Sequence, residues 1–381
     1  MSGEELADWA YLSRVAEGPC AELAAMVSIY GPRETAERVR RLDVPDRLLP
    51  SVTARHMIDR GHEDLEIVAR LGGRLVTPED PEWPAWQLQA FALVDTKQLP
   101  NGRQPLALWV LGDHSLLEAT SRAAALVGTR ACTGYGEHVT GELAAGLAGR
   151  DVTVVSGAAF GIDGVAHRAA LAGDGLTVAV LAGGVDIPYP ASHSALLYRI
   201  AEHGLVVSEY PPAVRPARYR FLTRNRLVAA LSNATVVVEA GIRSGAANTA
   251  AWARALGRPV GAVPGPITST ASMGTNLEIG QRGAHLVGSV QDVVELAGRL
   301  GELAPDPQRP ETVIDFLGED EKRVYEALPG RGRATVHQLA IESGLPAGRV
   351  HGALAMLELE KLVVDIEGDW KIARTSQTRT K

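Results

Sequence analysis

The sequence predicts an α/β protein on a doubly wound, mostly parallel sheet, with a small all-α segment before it and a winged helix-turn-helix after it. Three observations carry this prediction. First, seven short apolar runs alternate with helical stretches: AALV at 124–127, VTVVS at 152–156, TVAVLA at 177–182, LVVSE at 205–209, TVVVEA at 235–240, PVGAVP at 259–264 and HLV at 285–287. Strands apolar on both faces and separated by helices belong to a parallel sheet covered on both sides. Second, glycine turns follow these runs, where a Rossmann-like sheet gathers its strand ends into one crevice. Third, proline-broken helices precede the pattern, and three helices with a two-strand hairpin follow it.

Bulk properties set the number of domains. A chain of 381 residues, 46% hydrophobic, has room for one large core and one or two small ones. The expected division is a helical domain over 1–75, resembling helix-hairpin-helix or SAM modules, then an extended Rossmann-like domain over 76–300. A linker over 301–310, a winged-helix domain over 311–374 and a tail over 375–381 complete it. The opening MSGEELADWA lacks the basic start and apolar run of a signal peptide, and no apolar stretch reaches the ~20 residues of a membrane span. A cytoplasmic protein without membrane contact is expected. Cys20 and Cys132 are too few for a disulfide framework or a four-ligand zinc site. Neither a metal nor a cofactor is expected.

Residues 1 to about 75 read as short helices broken at Gly18-Pro19, Gly31-Pro32, Pro45 and Pro50. The segment SIYGPRETAERVRRL resembles a helical hairpin that touches nucleic-acid backbones, but plain packing is the preferred reading, since a loop with Gly31 alone is a weak signal. GGRLV and LALWV then read as strands. Within the alternating region the turns after the strands are informative: Gly128-Thr129-Arg130, Ser156-Gly157 through Gly161, Gly183-Gly184, Gly241 through Gly245, and Pro264-Gly265. Glycine lets backbone N–H groups approach an anion, and the helix starts behind them add a favourable dipole. Beside these turns, Arg215 to Arg258 holds eight arginines and one acid, Glu239, in a chain of net charge -7. Concentrated positive charge on a glycine-lined edge predicts an anionic ligand.

The winged helix-turn-helix is read from helices at Glu319 to Ala327, Thr335 to Glu342 and Pro346 to Glu360, then strands at Leu362 to Ile366 and Trp370 to Ala373. Its acids outnumber Lys and Arg twelve to eight between Glu311 and Arg374. Protein contact and DNA contact both stay open for this module.

The ordered runs SGAAFGIDGVAHRAAL, GGVDIPYPASHSALL, SEYPP, FLTRNRLVAALS, VVVEAGIRSGAANTA and VPGPI resemble the DNA-processing protein A (DprA/Smf) family, strongly over about Leu106 to Val287. That resemblance implies a non-catalytic protein that binds and protects single-stranded DNA during natural transformation, loads the RecA recombinase and works as a homodimer through the Rossmann-like domain. It departs from the family at Leu222-Thr223, where a proline is usual, and at Ala246-Ala247-Asn248.

A single strand offers phosphates and unstacked bases, so its binder needs charge and a flat surface. Phosphate candidates are Arg130, Arg218, Arg220, Arg224, Arg226 and Arg243, of which the family pattern supports Arg130, Arg218, Arg224 and Arg226. Phe221, one of four Phe in the chain, is the candidate stacking platform, with a core position as the alternative. Gly128, Gly157, Gly161 and Gly245 supply backbone donors; Ser156, Ser244 and Thr249 supply hydroxyls suited to phosphate oxygens; Asn225 lies within the RNR segment. Arg226 paired with Glu239 as a brace is a second reading of that residue. Asp163 and His167, one helical turn apart, could present an acid and a base, or cap a helix and bond a neighbouring backbone group.

The rival readings are a nucleotide sensor and a nucleotide-processing enzyme similar to phosphoribohydrolases. The latter need a glutamate after a Pro-Gly-Gly-x-Gly-Thr run, and Ser244 through Trp252 holds no carboxylate.

Overall fold

In the computed structural model, residues 2–298 and 317–373 are described. The chain divides into two compact units, 1–304 and 305–381. The first begins with α1 (Gly3–Ala16), α2 (Ala21–Arg40), α3 (Leu49–Val52) and α4 (Gly61–Arg70). A reciprocal capping box between Ser2 and Glu5 starts α1. The break expected at Gly31-Pro32 is a kink inside α2, where Gly31 takes a φ of 76°.

The sheet and its flanking helices follow: β1 (Gly73–Val76), α5 (Ala85–Gln89), β2 (Leu108–Leu111), α6 (Leu116–Ser121), β3 (Ala123–Val127), α7 (Gly134–Ala148), β4 (Thr153–Ser156), α8 (Ile162–Ala172) and β5 (Thr177–Val180). Then come α9 (Ser194–His203), β6 (Leu205–Ser208), α10 (Arg218–Ala230), β7 (Ala234–Val237), α11 (Gly245–Ala255), β8 (Val260–Ala262), α12 (Met273–Arg282), β9 (His285–Leu286) and α13 (Val290–Ala297). All seven apolar runs of the sequence therefore contain strands.

The nine strands are ordered β1-β2-β6-β5-β4-β3-β7-β8-β9. Those from β6 to β9 run parallel, with Ala124 of β3 facing Val154 of β4 and Ala234 of β7. β1 and β2 extend the sheet antiparallel, Trp109 facing Ser208. The order reverses between β3 and β7: the chain builds outward from β3 to β6, then returns to place β7 on the other side. In a doubly wound sheet this switch point opens a crevice at the carboxyl ends of the strands.

Two apolar layers cover this sheet. Val155, Val207, Leu227 and Trp252 belong to one, and Leu126, Leu143, Val236 and Val287 to another. The amino-terminal helices add a third cluster, in which Trp9, Leu12 and Leu23 join Trp109, Leu181 and Ile200. The buried Trp109 indole also donates to Ser13 Oγ at 3.3 Å. The segment expected as a separate helical domain thus shares a core with the sheet and lies inside one compact unit.

The second unit contains α14 (Glu319–Ala327), β10 (Ala334–Thr335), α15 (Val336–Ser343), α16 (Ala347–Leu359), β11 (Val363–Ile366) and β12 (Asp369–Ile372). Its sheet is ordered β10-β12-β11 over a core of Val324, Leu339, Leu354 and Leu357. This is a winged helix; the two-residue β10 has no sequence signal of its own. The expected linker at 301–310 and tail at 375–381 lie outside the described residues. No described helix is long and apolar enough to cross a membrane.

Candidate nucleic-acid interface

At the switch point lies a cavity of about 780 Å³, walled by the turn after β3, the turn after β4, the first half of α10 and the start of α11. Thr129 anchors the β3 turn, its N–H donating to the Glu239 carbonyl at 2.7 Å. Arg130 follows, exposed, its guanidinium 5.3 Å from the centre of the Phe221 ring. Phe221 in turn lies 5.3 Å from the Tyr189 ring, tilted by 53°. Two half-exposed rings and a planar cation on one wall make a surface suited to flat ligands. Arg218, exposed at the start of α10, adds a second cation to the wall.

Deeper in the wall sits Arg224, 5% exposed. Its Nη1 donates to the Val180 carbonyl at the end of β5, at 2.6 Å. A Cβ at Gly157 would overlap this guanidinium, so a side chain there would displace Arg224. Burial lowers the Arg224 pKa, nearby Asp163 opposes that shift and Arg130 adds to it. The same burial raises the pKa of Asp163, against the opposing effect of Arg224 and of the Gly157 and Ala159 N–H groups, which donate to Oδ2 at 3.2 and 3.4 Å. Asn225 ties α10 to α11, donating to the Gly245 carbonyl at 3.3 Å and to Asn248 Oδ1 at 3.1 Å. Ser244 caps α11 by accepting from the Ala247 N–H at 3.2 Å.

Residues 74–298 match the family model described as DNA recombination-mediator protein A, and 304–369 match the DprA winged helix domain. The chain is 60% identical over 366 residues to a putative DNA processing protein DprA of Mycobacterium tuberculosis H37Rv, covering 96% of this chain and 94% of that one. The chain belongs to the DprA family. Protein Smf of Escherichia coli K12 is 38% identical over 274 residues, 70% of this chain and 71% of that one. Among solved structures, DNA processing protein A from Streptococcus pneumoniae superposes with a TM-score of 0.62 at 28% identity, covering 76% of this chain and 97% of that one.

The DprA motifs converge on the cavity, but not every residue named from them reaches it. Gly128, Arg130, Gly157, Arg218, Phe221 and Arg224 line it, as do Asn225, Ser244, Gly245 and Thr249. Four others do not. Ser156 is fully buried and donates to the Leu126 carbonyl at 2.6 Å, which removes it as a phosphate ligand. Gly161 serves the fold, taking a φ of 72° at the start of α8. Arg243 is exposed beside Ser244 but outside the cavity lining.

Arg226 is the clearest correction. It is fully buried, pairs with Glu209 at 2.6 Å and donates through Nε to the Asn101 carbonyl at 2.9 Å. The brace expected with Glu239 is therefore made with Glu209, whose pKa burial raises against the opposing pull of Arg226. Glu239 instead accepts from the Thr133 backbone at 2.9 Å and the Thr133 hydroxyl at 2.6 Å. Arg220 is likewise engaged, pairing with Glu17 at the end of α1.

His167 bonds a side chain, Thr177 Oγ1 at 2.7 Å, and not the backbone group expected. Burial, with help from His193, lowers its pKa to about 3, so it is neutral and no base for a ligand. Tyr189 escaped sequence reasoning, although an aromatic in the turn after β5, within GGVDIPYP, was a usable signal. In the winged unit, the arginine of α16 is occupied: Arg349 grips Asp320 at 2.6 and 2.7 Å.

Proposed function

We propose that this chain binds single-stranded DNA in the switch-point cavity, protects it during DNA uptake and natural transformation, and loads RecA recombinase onto it as a homodimer through the Rossmann-like domain. The observation that carries strand binding is the wall where exposed Arg130 and Arg218 adjoin the Phe221 and Tyr189 rings. A flexible strand needs this combination, cations for its phosphates and rings for its bases. RecA loading, transformation and dimerisation rest on membership in a family described as a recombination mediator.

A binder without catalysis fits the chemistry of the wall. Among the described residues lining the cavity, Asp163 is the one carboxylate; it is 7% exposed and held by two backbone N–H groups. A nucleotide-cleaving enzyme needs an acid or base free to move a proton.

The test is a salt series of binding to a labelled oligonucleotide, wild type against Arg130→Ala. Loss of one phosphate contact is expected to flatten the logarithmic salt slope by about 0.7. Equal affinity and slope in the two proteins would remove Arg130 from the interface, and release of ribose 5-phosphate from a nucleotide would replace the binder with an enzyme. RecA loading is read separately, as faster RecA assembly on the strand when the protein is present.

A further inference from the structure

We infer that the cavity contains a subsite for the terminal phosphomonoester of a nucleotide, supplied by the end of a DNA strand or by a free mononucleotide. This rests on the strand-binding reading for the first source and stands without it for the second.

Two independent features meet there. The first is the start of α11, an 11-residue helix whose cap, Ser244 Oγ, is occupied by the Ala247 N–H. The N–H groups of Gly245 and Ala246, on the cavity wall, have no acceptor within the helix. The second is Arg224. It is 5% exposed, it lines the same cavity, and its Nε has no hydrogen-bond partner. Asp163 acts on Arg224 through charge, while its Oδ2 accepts from the Gly157 and Ala159 N–H groups. A buried cation with an unpartnered donor costs stability, and an anion in the cavity that Arg224 lines offsets part of that cost through charge.

Charge favours a terminal phosphate over an internal one. A phosphodiester within a strand carries one negative charge, whereas a phosphomonoester carries about 1.5 to 2 near neutral pH. A guanidinium removed from water, a helix start and the neighbouring Arg130 reward the additional charge. The volume of about 780 Å³ also falls within the range of pockets that enclose small ligands.

The experiment uses the full-length protein and one oligonucleotide sequence in three forms, with a 5′-phosphate, with a 3′-phosphate, and with hydroxyls at both ends. A nucleoside 5′-monophosphate and its nucleoside serve as competitors. One phosphorylated end is expected to bind about tenfold more tightly than the hydroxyl form, the worth of one charge-assisted hydrogen bond. If the free mononucleotide is the source, it competes where the nucleoside does not. Gly245→Pro then removes a single N–H: proline suits the first helical position, Ser244 before it is extended at φ -131° and ψ 164°, and a Cβ there meets open space. That variant should keep its melting midpoint and lose most of the preference. Equal binding of all three strands with no competition by the monophosphate overturns the inference, as does a preference that survives Gly245→Pro. If no strand binds at all, the strand-binding reading fails by itself, and competition between monophosphate and nucleoside for the protein, read by calorimetry, still decides the subsite.

Discussion

The two halves of α10 carry similar residues to opposite ends. Its opening turns put Arg218, Phe221 and Leu222 on the cavity wall, half or fully exposed. Within the next turn Arg224, Asn225 and Arg226 are 5%, 7% and 0% exposed. The difference follows from where the helix lies: its start stands at the open strand ends, and its later turns run back over the sheet. Arginine is therefore a contact group at Arg218, a buried wall group at Arg224 and a building material at Arg226. Charge counted along the sequence overstates what a ligand can meet.

This contrast breaks or sharpens on substitution. The largest effect is expected from Arg226→Ala, which strands Glu209 in the core; removing one partner of a buried ion pair costs ~3–5 kcal/mol. Chemical denaturation should show that loss while the salt slope of DNA binding holds. A changed slope with intact stability would move Arg226 to the contact half. Phe221→Ala should do the reverse, weakening strand binding by ~1–3 kcal/mol with little change in slope or melting midpoint. Melting without loss of affinity would make the ring a core residue.

The buried half also predicts a pH dependence. Burial first, then His193 and Arg224, disfavour a charged His167, whose pKa falls from 6.5 to about 3. A depressed folded-state value means that this contribution to stability is complete above about pH 6.5 and is lost as pH falls toward 3, by at most about 1.4 kcal/mol per pH unit. Melting midpoints across that window should fall less steeply for His167→Asn than for wild type; parallel curves would assign the acid loss elsewhere. The smallest effect belongs to Arg218→Ala: a salt slope flatter by about 0.7 and no change in stability.

The fold was readable because its strands are apolar on both faces and its turns carry glycine. The winged helix was readable to within a residue or two at most ends, since Thr335 and Gly344 mark the limits of α15 with a capping box and a left-handed cap. The site was readable in part. Arg218, Phe221, Arg224, Asn225 and Val228 lie on one stripe of α10, spaced by three and four residues, whereas Arg220 and Arg226 fall off it. That period would have separated them, but the start of α10 has no capping side chain to set its phase. The partner of Arg226 was not readable at all: Glu209 comes from the end of β6, and only the three-dimensional path brings it near. Nor was the merging of residues 1–75 with the sheet, because helices with one apolar face give no sign of what that face covers.

The pairing of Glu17 with Arg220 ties the first helix to a residue made about two hundred positions later, and Arg14 likewise donates to the Pro212 carbonyl at 2.7 Å. A ribosome adding ~5 to 20 residues per second leaves α1 waiting about 10 to 40 s for these partners. Trp9 and Leu12 meet Leu75 and Trp109 of β1 and β2 earlier in that interval, but Leu181 and Ile200 of the same cluster only late in it. The amino-terminal apolar face is therefore completed only when these late-made residues of the sheet and its covering helix are in place.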